Sequence, residues 1–221
     1  MELSKDTLTL VKNFAGINGS LMLKAGNKLT TISEGKNIMA EVTIAEDLPQ
    51  DFGIYDLNEF LSVVSIFATP AIEFKEKYAL VSDTNNGNSR IKYFAAGEGV
   101  VKAAPNTIKF PTPDVEFNLD ATQLAMIQRT AGALKASDVT IQGDGSTLSV
   151  IVSDKKNDTA NAYSHSIGTT EETFKANLKV ENLKMLPGDY TVAISKKKIS
   201  RFTSTVNDLT YYVAVEADSE F

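Results

Sequence analysis

The 221-residue chain contains no cysteine and only one histidine. Without cysteine there is no disulfide, no thiolate zinc ligand and no thiol nucleophile. A single histidine excludes a His-rich metal centre. No apolar run approaches the roughly 20 residues that span a bilayer. The opening segment MELSKDTLTL is interrupted by Lys5 and Asp6, so it reads as lacking a signal-peptide core. The sequons at Asn18 and Asn157 are then chance matches. These absences fit a soluble protein of a reducing compartment. What is present is ordinary globular material: 43% hydrophobic and 23% charged residues, which excludes disorder and collagen-like repeats. A core of this size needs no staples.

Charge is the first informative feature. Twenty-two Lys and Arg stand against 28 Asp and Glu, a net charge of −6. Taken alone, that argues against a nucleic-acid partner, because phosphate binding is usually written as a basic domain.

Motifs for chemistry are also missing. There is no Gly-x-Ser-x-Gly elbow. Gly97-Glu98-Gly99 and Gly143-Asp144-Gly145 lack the third glycine of a dinucleotide fingerprint, because Lys102 and Leu148 occupy that place. Gly35-Lys36 has Thr30 where a phosphate loop needs glycine. Asp83–Gly87 faintly resembles a calcium loop, but its glycine is one place early and Phe94 replaces the bidentate glutamate. His165 lies in a strand-like stretch and reads as a packed or solvated strand residue. No catalytic residue, metal site or cofactor is expected.

Hydrophobic period reveals a plan repeated four times, a helix followed by about three strands. Helices are expected over Leu3–Ile17, Leu57–Phe67, Ala121–Leu134 and Glu181–Leu186. Leu8, Val11, Phe14 and Ala15 form the first apolar stripe; Leu124, Ile127, Ala131 and Leu134 form the third. Residues 98–113 are rich in Pro and Gly, without period, and read as a connector. The expected organisation is therefore α+β, with domains at 1–97 and 114–221. Cations recur on the outward helix faces: Lys5 and Lys12 on the first, Arg129 and Lys135 on the third, Lys184 on the fourth. Helix two offers Asn58, Ser62 and Ser65 instead. Lys196-Lys197-Lys198 with Arg201 reads as a solvated hairpin, with a nucleic-acid patch as the alternative, and residues 216–221 read as an acidic tail.

Several blocks carry a resemblance. They are Leu3–Thr7 with Lys12–Ala15 and Ile17-Asn18; Ile54–Asn58 before Phe60-Leu61; Met185 with Pro187-Gly188 and Tyr190; and Tyr212–Ala214 through Glu216–Ser219. In order and number they resemble the DNA polymerase sliding clamps of T-even-type bacteriophages and related cyanophages. Residues 68–180 are similar in pattern rather than in letters. The resemblance implies two domains of the processivity fold, each of two βαβββ units, in a homotrimeric ring lined by helices. It implies a non-enzymatic processivity factor of the host cytoplasm. Its partners would be duplex DNA, the replicative polymerase, an ATP-driven clamp loader and a late-transcription complex. Lys5, Lys12, Arg129, Lys135 and Lys184 would face DNA. Ile108, Phe110, Tyr212, Val213 and Ala214 would form a pocket for partner peptides. Arg90, Ile91, Lys92 and Tyr93 would meet Ala162, Tyr163, Ser164 and His165 across the subunit contact. The competing readings are a phage structural or assembly protein of α+β repeat type, and an enzyme with an unrecognised carboxylate or Ser/His site.

Overall fold

The computed structural model describes residues 1–85, 88–97, 99–106, 108–157 and 159–221. The chain forms two compact units, Met1–Thr107 and Ile108–Phe221. The division falls inside the segment expected to connect two domains.

The first unit runs α1 (Lys5–Ile17), β1 (Leu21–Leu23), β2 (Gly26–Ile32), β3 (Ile38–Leu48), β4 (Phe52–Ile54), α2 (Leu57–Ser65), β5 (Pro70–Phe74), β6 (Tyr78–Asp83) and β7 (Arg90–Phe94). β1 pairs antiparallel with β4, β2 with β3, and β5-β6-β7 form a meander. Ser4 caps α1 by accepting from the Thr7 N–H at 3.2 Å. Asp56 caps α2 by accepting from the Glu59 N–H at 3.0 Å. Each cap satisfies a donor that the first turn leaves without a partner. Glu46, from β3, also reaches the start of α1. Its carboxylate accepts from the Ser4 N–H and, at 2.6 Å, from the Thr7 hydroxyl. Partial burial raises the Glu46 pKa, but these hydrogen bonds outweigh it and the net shift is downward. Phe14, Leu57 and Phe60 anchor the core. Phe60 meets Tyr93 edge to face at 5.2 Å.

The buried stripe of α1 differs from the expected one. Thr7, Leu10, Val11, Phe14 and Ile17 are buried, whereas Leu8 is only half-buried. Lys5, Leu8 and Lys12 are spaced three and four apart, so they share one helix face. Strand β2 starts at Gly26, with a bulge between Gly26 and Lys28. Gly26 has φ +103°, which a side chain would strain.

The second unit runs β8 (Val115–Leu119), α3 (Ala121–Leu134), β9 (Asp138–Asp144), β10 (Thr147–Ser153), β11 (Tyr163–Thr169), β12 (Thr173–Lys179), β13 (Tyr190–Ser195), β14 (Ile199–Ser204) and β15 (Thr210–Ala214). One antiparallel sheet has the order β11-β10-β9-β12, and β15-β14-β13-β8 pair in a second. α3 begins with a capping box in which Asp120 and Gln123 satisfy each other's N–H groups.

The fourth expected helix is absent. Only a single 3-10 turn, Val180–Asn182, stands there. Pro187 disfavours helical backbone at Leu186, and the hydrogen bonds of the loop go elsewhere. Tyr190 Oη donates to the Leu186 carbonyl at 2.7 Å, and the Leu186 N–H donates to Tyr211 Oη at 3.2 Å. Gln128 Nε2, from α3, donates to the Leu183 carbonyl at 3.0 Å. Burial raises the Tyr211 pKa to about 12, and raises that of Tyr190 further. Both therefore remain protonated partners of this loop.

Residues 216–220 add to the free side of β12. The Lys175 and Glu220 backbones exchange two hydrogen bonds, at 2.9 and 2.8 Å, and the Glu216 N–H donates to the Asn177 carbonyl. Beneath them Asp138, 1% exposed, accepts from Lys179 at 2.6 Å, and Lys155 pairs with Asp218 at 2.8 Å. Burial raises the Asp138 pKa, but hydrogen bonds from Lys179 and Ser137 and the charge of both lysines bring it below the usual aspartate value.

Candidate functional site

Three surfaces gather the residues singled out by sequence. The first is the set of cations on helices. Lys5 and Lys12 are exposed on α1 and line a groove of about 680 Å³ that runs between α1 and α2. Asn58, Ser62 and Ser65 of α2 form the opposite wall, so helix two contributes neutral polar groups where α1 contributes charge. Arg129 is exposed on α3, opposite buried Leu124, Ile127 and Ala131. Lys135 is exposed at the C-cap of α3, where its backbone turns left-handed with φ 51°. Lys184 is exposed between buried Leu183 and Met185, but on a loop rather than on a helix. Two helices, not three, thus carry the predicted outward cations.

The second surface lies on the outer face of β14 and β15. Tyr212 is cross-strand from Arg201. Phe110 leads in from the connector and lies 6.4 Å from the Tyr212 ring, tilted by 38°. The Arg201 guanidinium stands 4.7 Å from the Phe110 ring centroid. Ile108 and Ala214 are half-buried. Val213 is fully buried. Side chains alternate along a strand, so Val213 faces the core and cannot line this face with its neighbour Tyr212. Arg201 was legible only as part of a basic hairpin. That hairpin is not simply solvated: Lys196 pairs with Asp114 at 3.2 Å, and Lys198 donates to the Ser219 carbonyl at 2.6 Å.

The third surface is a pair of sheet edges. β7 ends the β5-β6-β7 sheet and β11 ends the β11-β10-β9-β12 sheet. On β7, Arg90 and Lys92 are exposed, and Lys92 Nζ sits 4.0 Å above the Tyr78 ring. Tyr93 is committed to the core instead: it packs on Phe60, and its hydroxyl donates to the Asp56 carbonyl at 3.1 Å. On β11, Tyr163 stacks on His165 at 6.2 Å. Ser164 and His165 are exposed, and Ala162 lies one residue before the strand. At the start of the 83–87 segment the Asp83 carboxylate accepts from the Asn85 N–H and the Thr69 hydroxyl. Asn86 and Gly87 lie outside the described residues. No group of three or more potential metal ligands occurs among the described residues, and no described helix is long and apolar enough to cross a membrane.

The fold of these two sheet-rich units is that of the DNA sliding clamps. The chain superposes on Proliferating Cellular Nuclear Antigen from Entamoeba histolytica with a TM-score of 0.68, over 95% of this chain and 94% of that one; at 14% identity the likeness is one of fold. Residues 4–98 match the family model for the DNA polymerase processivity factor, and residues 116–217 match that for the C-terminal part of the gp45 sliding clamp. The chain is 30% identical to the sliding clamp of Vibrio phage KVP40 over 224 residues, 98% of this chain and all of that one. It is also 30% identical to the sliding clamp of Enterobacteria phage T4, over 99% of this chain and 98% of that one. The chain belongs to the family of T4-type phage sliding clamps, the processivity factors of phage DNA polymerases.

Proposed function

We propose that three copies of this chain close into a ring around duplex DNA and tether the replicative polymerase to its template. The observation that carries this reading is the placement of cations within an acidic protein. Lys5, Lys12, Arg129 and Lys135 are exposed on two helices of a chain whose net charge is −6. A clamp must stay threaded without gripping. A few cations facing phosphates give a weak, sequence-independent attraction, while an acidic remainder keeps DNA off other surfaces. Retention is then topological, and no strong binding site is needed.

The two sheet ends, β7 with Arg90, Ile91 and Lys92 and β11 with Tyr163, Ser164 and His165, are the strands proposed to join between copies. Pairing them would bury edges that otherwise invite aggregation. Ile108, Phe110, Tyr212 and Ala214 are the proposed dock for peptides of the polymerase and of the loader. Loading would draw on the ATP chemistry of a separate clamp loader in the host cytoplasm, and late-transcription factors would use the same dock. The relatives are sliding clamps, so the reading as a structural or assembly protein loses its support.

Two measurements test the proposal. Native mass at micromolar concentration should equal three times the 23.9 kDa chain mass; a stable monomer counts heavily against the ring. Loaded protein should persist on circular duplex and run off linear ends. Equal retention on both would identify an ordinary DNA binder.

A further inference from the structure

The outer face of the β5-β6-β7 sheet carries side chains that neither the ring nor the peptide dock uses. Side chains alternate along a strand, so Ile72, Val81 and Tyr93 are buried in the core while Arg90, Lys92 and Phe94 stand exposed on the other face. The register sets Leu80 between Glu73 and Lys92, and Tyr78 beside Phe94. Phe94 is 65% exposed, and its ring centroid lies 6.1 Å from that of Tyr78. Lys92 Nζ stands 4.0 Å from the Tyr78 centroid and 5.3 Å from that of Phe94. Neither Arg90 nor Lys92 joins an ion pair among the described residues. Glu73, in the same row, is paired with Lys75. The face is therefore positive in a chain of net charge −6. Pairing of the β7 edge engages its backbone and leaves these side chains on the outer face.

We propose that this face binds single-stranded nucleic acid, with bases stacked on Phe94 and Tyr78 and phosphates held by Lys92 and Arg90. The inference goes beyond the ring reading and does not depend on it. Exposed aromatic rings with cations beside them match the alternation of base and phosphate along a single strand, and stacking tolerates any base sequence. A duplex keeps its bases inside, so it meets only the two cations here and gains no stacking. Charge complementarity also admits an acidic peptide, but such a peptide needs a pocket for an apolar anchor. The hollow of about 270 Å³ beside the rings is lined by Glu73, Ser82 and Arg90 and offers a polar wall instead. The Lys92 ammonium already rests on the rings, so it loses little further freedom when a phosphate arrives.

The test uses the full chain and a short fluorescent oligothymidylate, with binding read by polarisation. Phe94→Ala should weaken binding about tenfold, the size of one lost base–aromatic stack. Arg90→Gln and Lys92→Gln should each shallow the slope of log affinity against log salt by about 0.7, the value for one phosphate on a single strand. Unlabelled duplex of the same length should compete poorly. Oligouridylate run in parallel tells DNA from RNA, and binding of either strand supports the proposal. Absence of binding at about 100 μM protein, the weak end of non-specific nucleic-acid affinity, overturns it. If the affinity instead follows Lys12→Ala/Arg129→Ala and ignores Phe94→Ala, the strand lies along the helices and the proposal is wrong. If Phe94→Ala lowers native mass and leaves affinity unchanged, the ring serves the joint between copies and the proposal is equally wrong. Should a variant fail to fold or to keep its native mass, the parent protein decides. Ultraviolet crosslinking to a bromodeoxyuridine strand should attach it at Tyr78 or Phe94, as read by mass spectrometry; attachment only elsewhere overturns the inference. Loading of Phe94→Ala on circular duplex should match the parent, which separates this face from the ring.

Discussion

Tyr190 Oη donates to the Leu186 carbonyl at 2.7 Å, and this bond stands where a fourth helix was expected. Tyr190 is 2% exposed. Tyr190→Phe should keep the ring in the core but leave a part-buried carbonyl without its partner. The expected cost is about 1–3 kcal/mol, measured as a lower urea midpoint at constant slope. The trimer should persist, because Leu186 and Tyr190 belong to neither proposed edge strand.

Lys12→Ala with Arg129→Ala tests the basic helix faces. Both side chains are exposed, so stability should change by less than about 0.5 kcal/mol. Retention on DNA should fall, and each lost phosphate contact should shallow the slope of log affinity against log salt by about 0.9. An unfolded double variant would show that these residues support the core.

Lys135 has φ 51°, in a region glycine occupies without strain. Its position at the end of α3 is one that helices commonly fill with glycine. Lys135→Gly should raise stability by up to about 1 kcal/mol, the size of the left-handed penalty for an L-residue, while weakening DNA retention. A gain in melting temperature without a loss on DNA would remove Lys135 from the proposed DNA face.

Asp138 sets an acid limit for the second unit. Its folded pKa lies below the unfolded value of 3.8. Its contribution is therefore fully present above that value and is lost as pH falls through the folded pKa. Asp138→Asn should remove this part of the acid-unfolding limb and, by stranding Lys179, should cost about 3 kcal/mol at neutral pH. Urea midpoints measured from neutral to strongly acidic pH give both quantities.

Gly143 belongs to a pair that failed as a nucleotide motif and has a packing reason to be glycine. A Cβ there would stand 2.4 Å from the Glu172 carbonyl oxygen. Gly143→Ala should destabilise by about 3 kcal/mol, at the upper end of overpacking costs, seen as a lowered melting temperature.

Periodic signals were legible and exchanged hydrogen bonds were not. Helices α2 and α3 follow their apolar stripes, with caps at Asp56 and Asp120. In α1 Leu8 lines the open groove toward α2, while Thr7 and Val11 are buried beside Leu23, Ile44 and Phe60, residues distant in sequence that no local pattern encodes. The segment 181–186 has helical spacing, but its backbone is satisfied by Gln128, Tyr190 and Tyr211, residues distant in sequence. Exposed Lys5, Lys12 and Arg129 were readable because they fall off the apolar stripes. Arg201 was hidden in a basic run, and only the pairing of β14 with β15 brings it beside Tyr212 and Phe110. Val213 was misplaced because a contiguous triplet ignores strand alternation.

The sheet ends β7 and β11 are chemically unlike: one carries Arg90 and Lys92, the other Tyr163, Ser164 and His165. A joint between unlike patches is heterologous, and every copy then offers one plug and one socket. Such a joint has no built-in stop. It closes after a whole number of copies only if the turn per copy divides the circle; otherwise it grows as an open filament. Small angular errors that leave each subunit well folded would then be visible as fibres under the electron microscope.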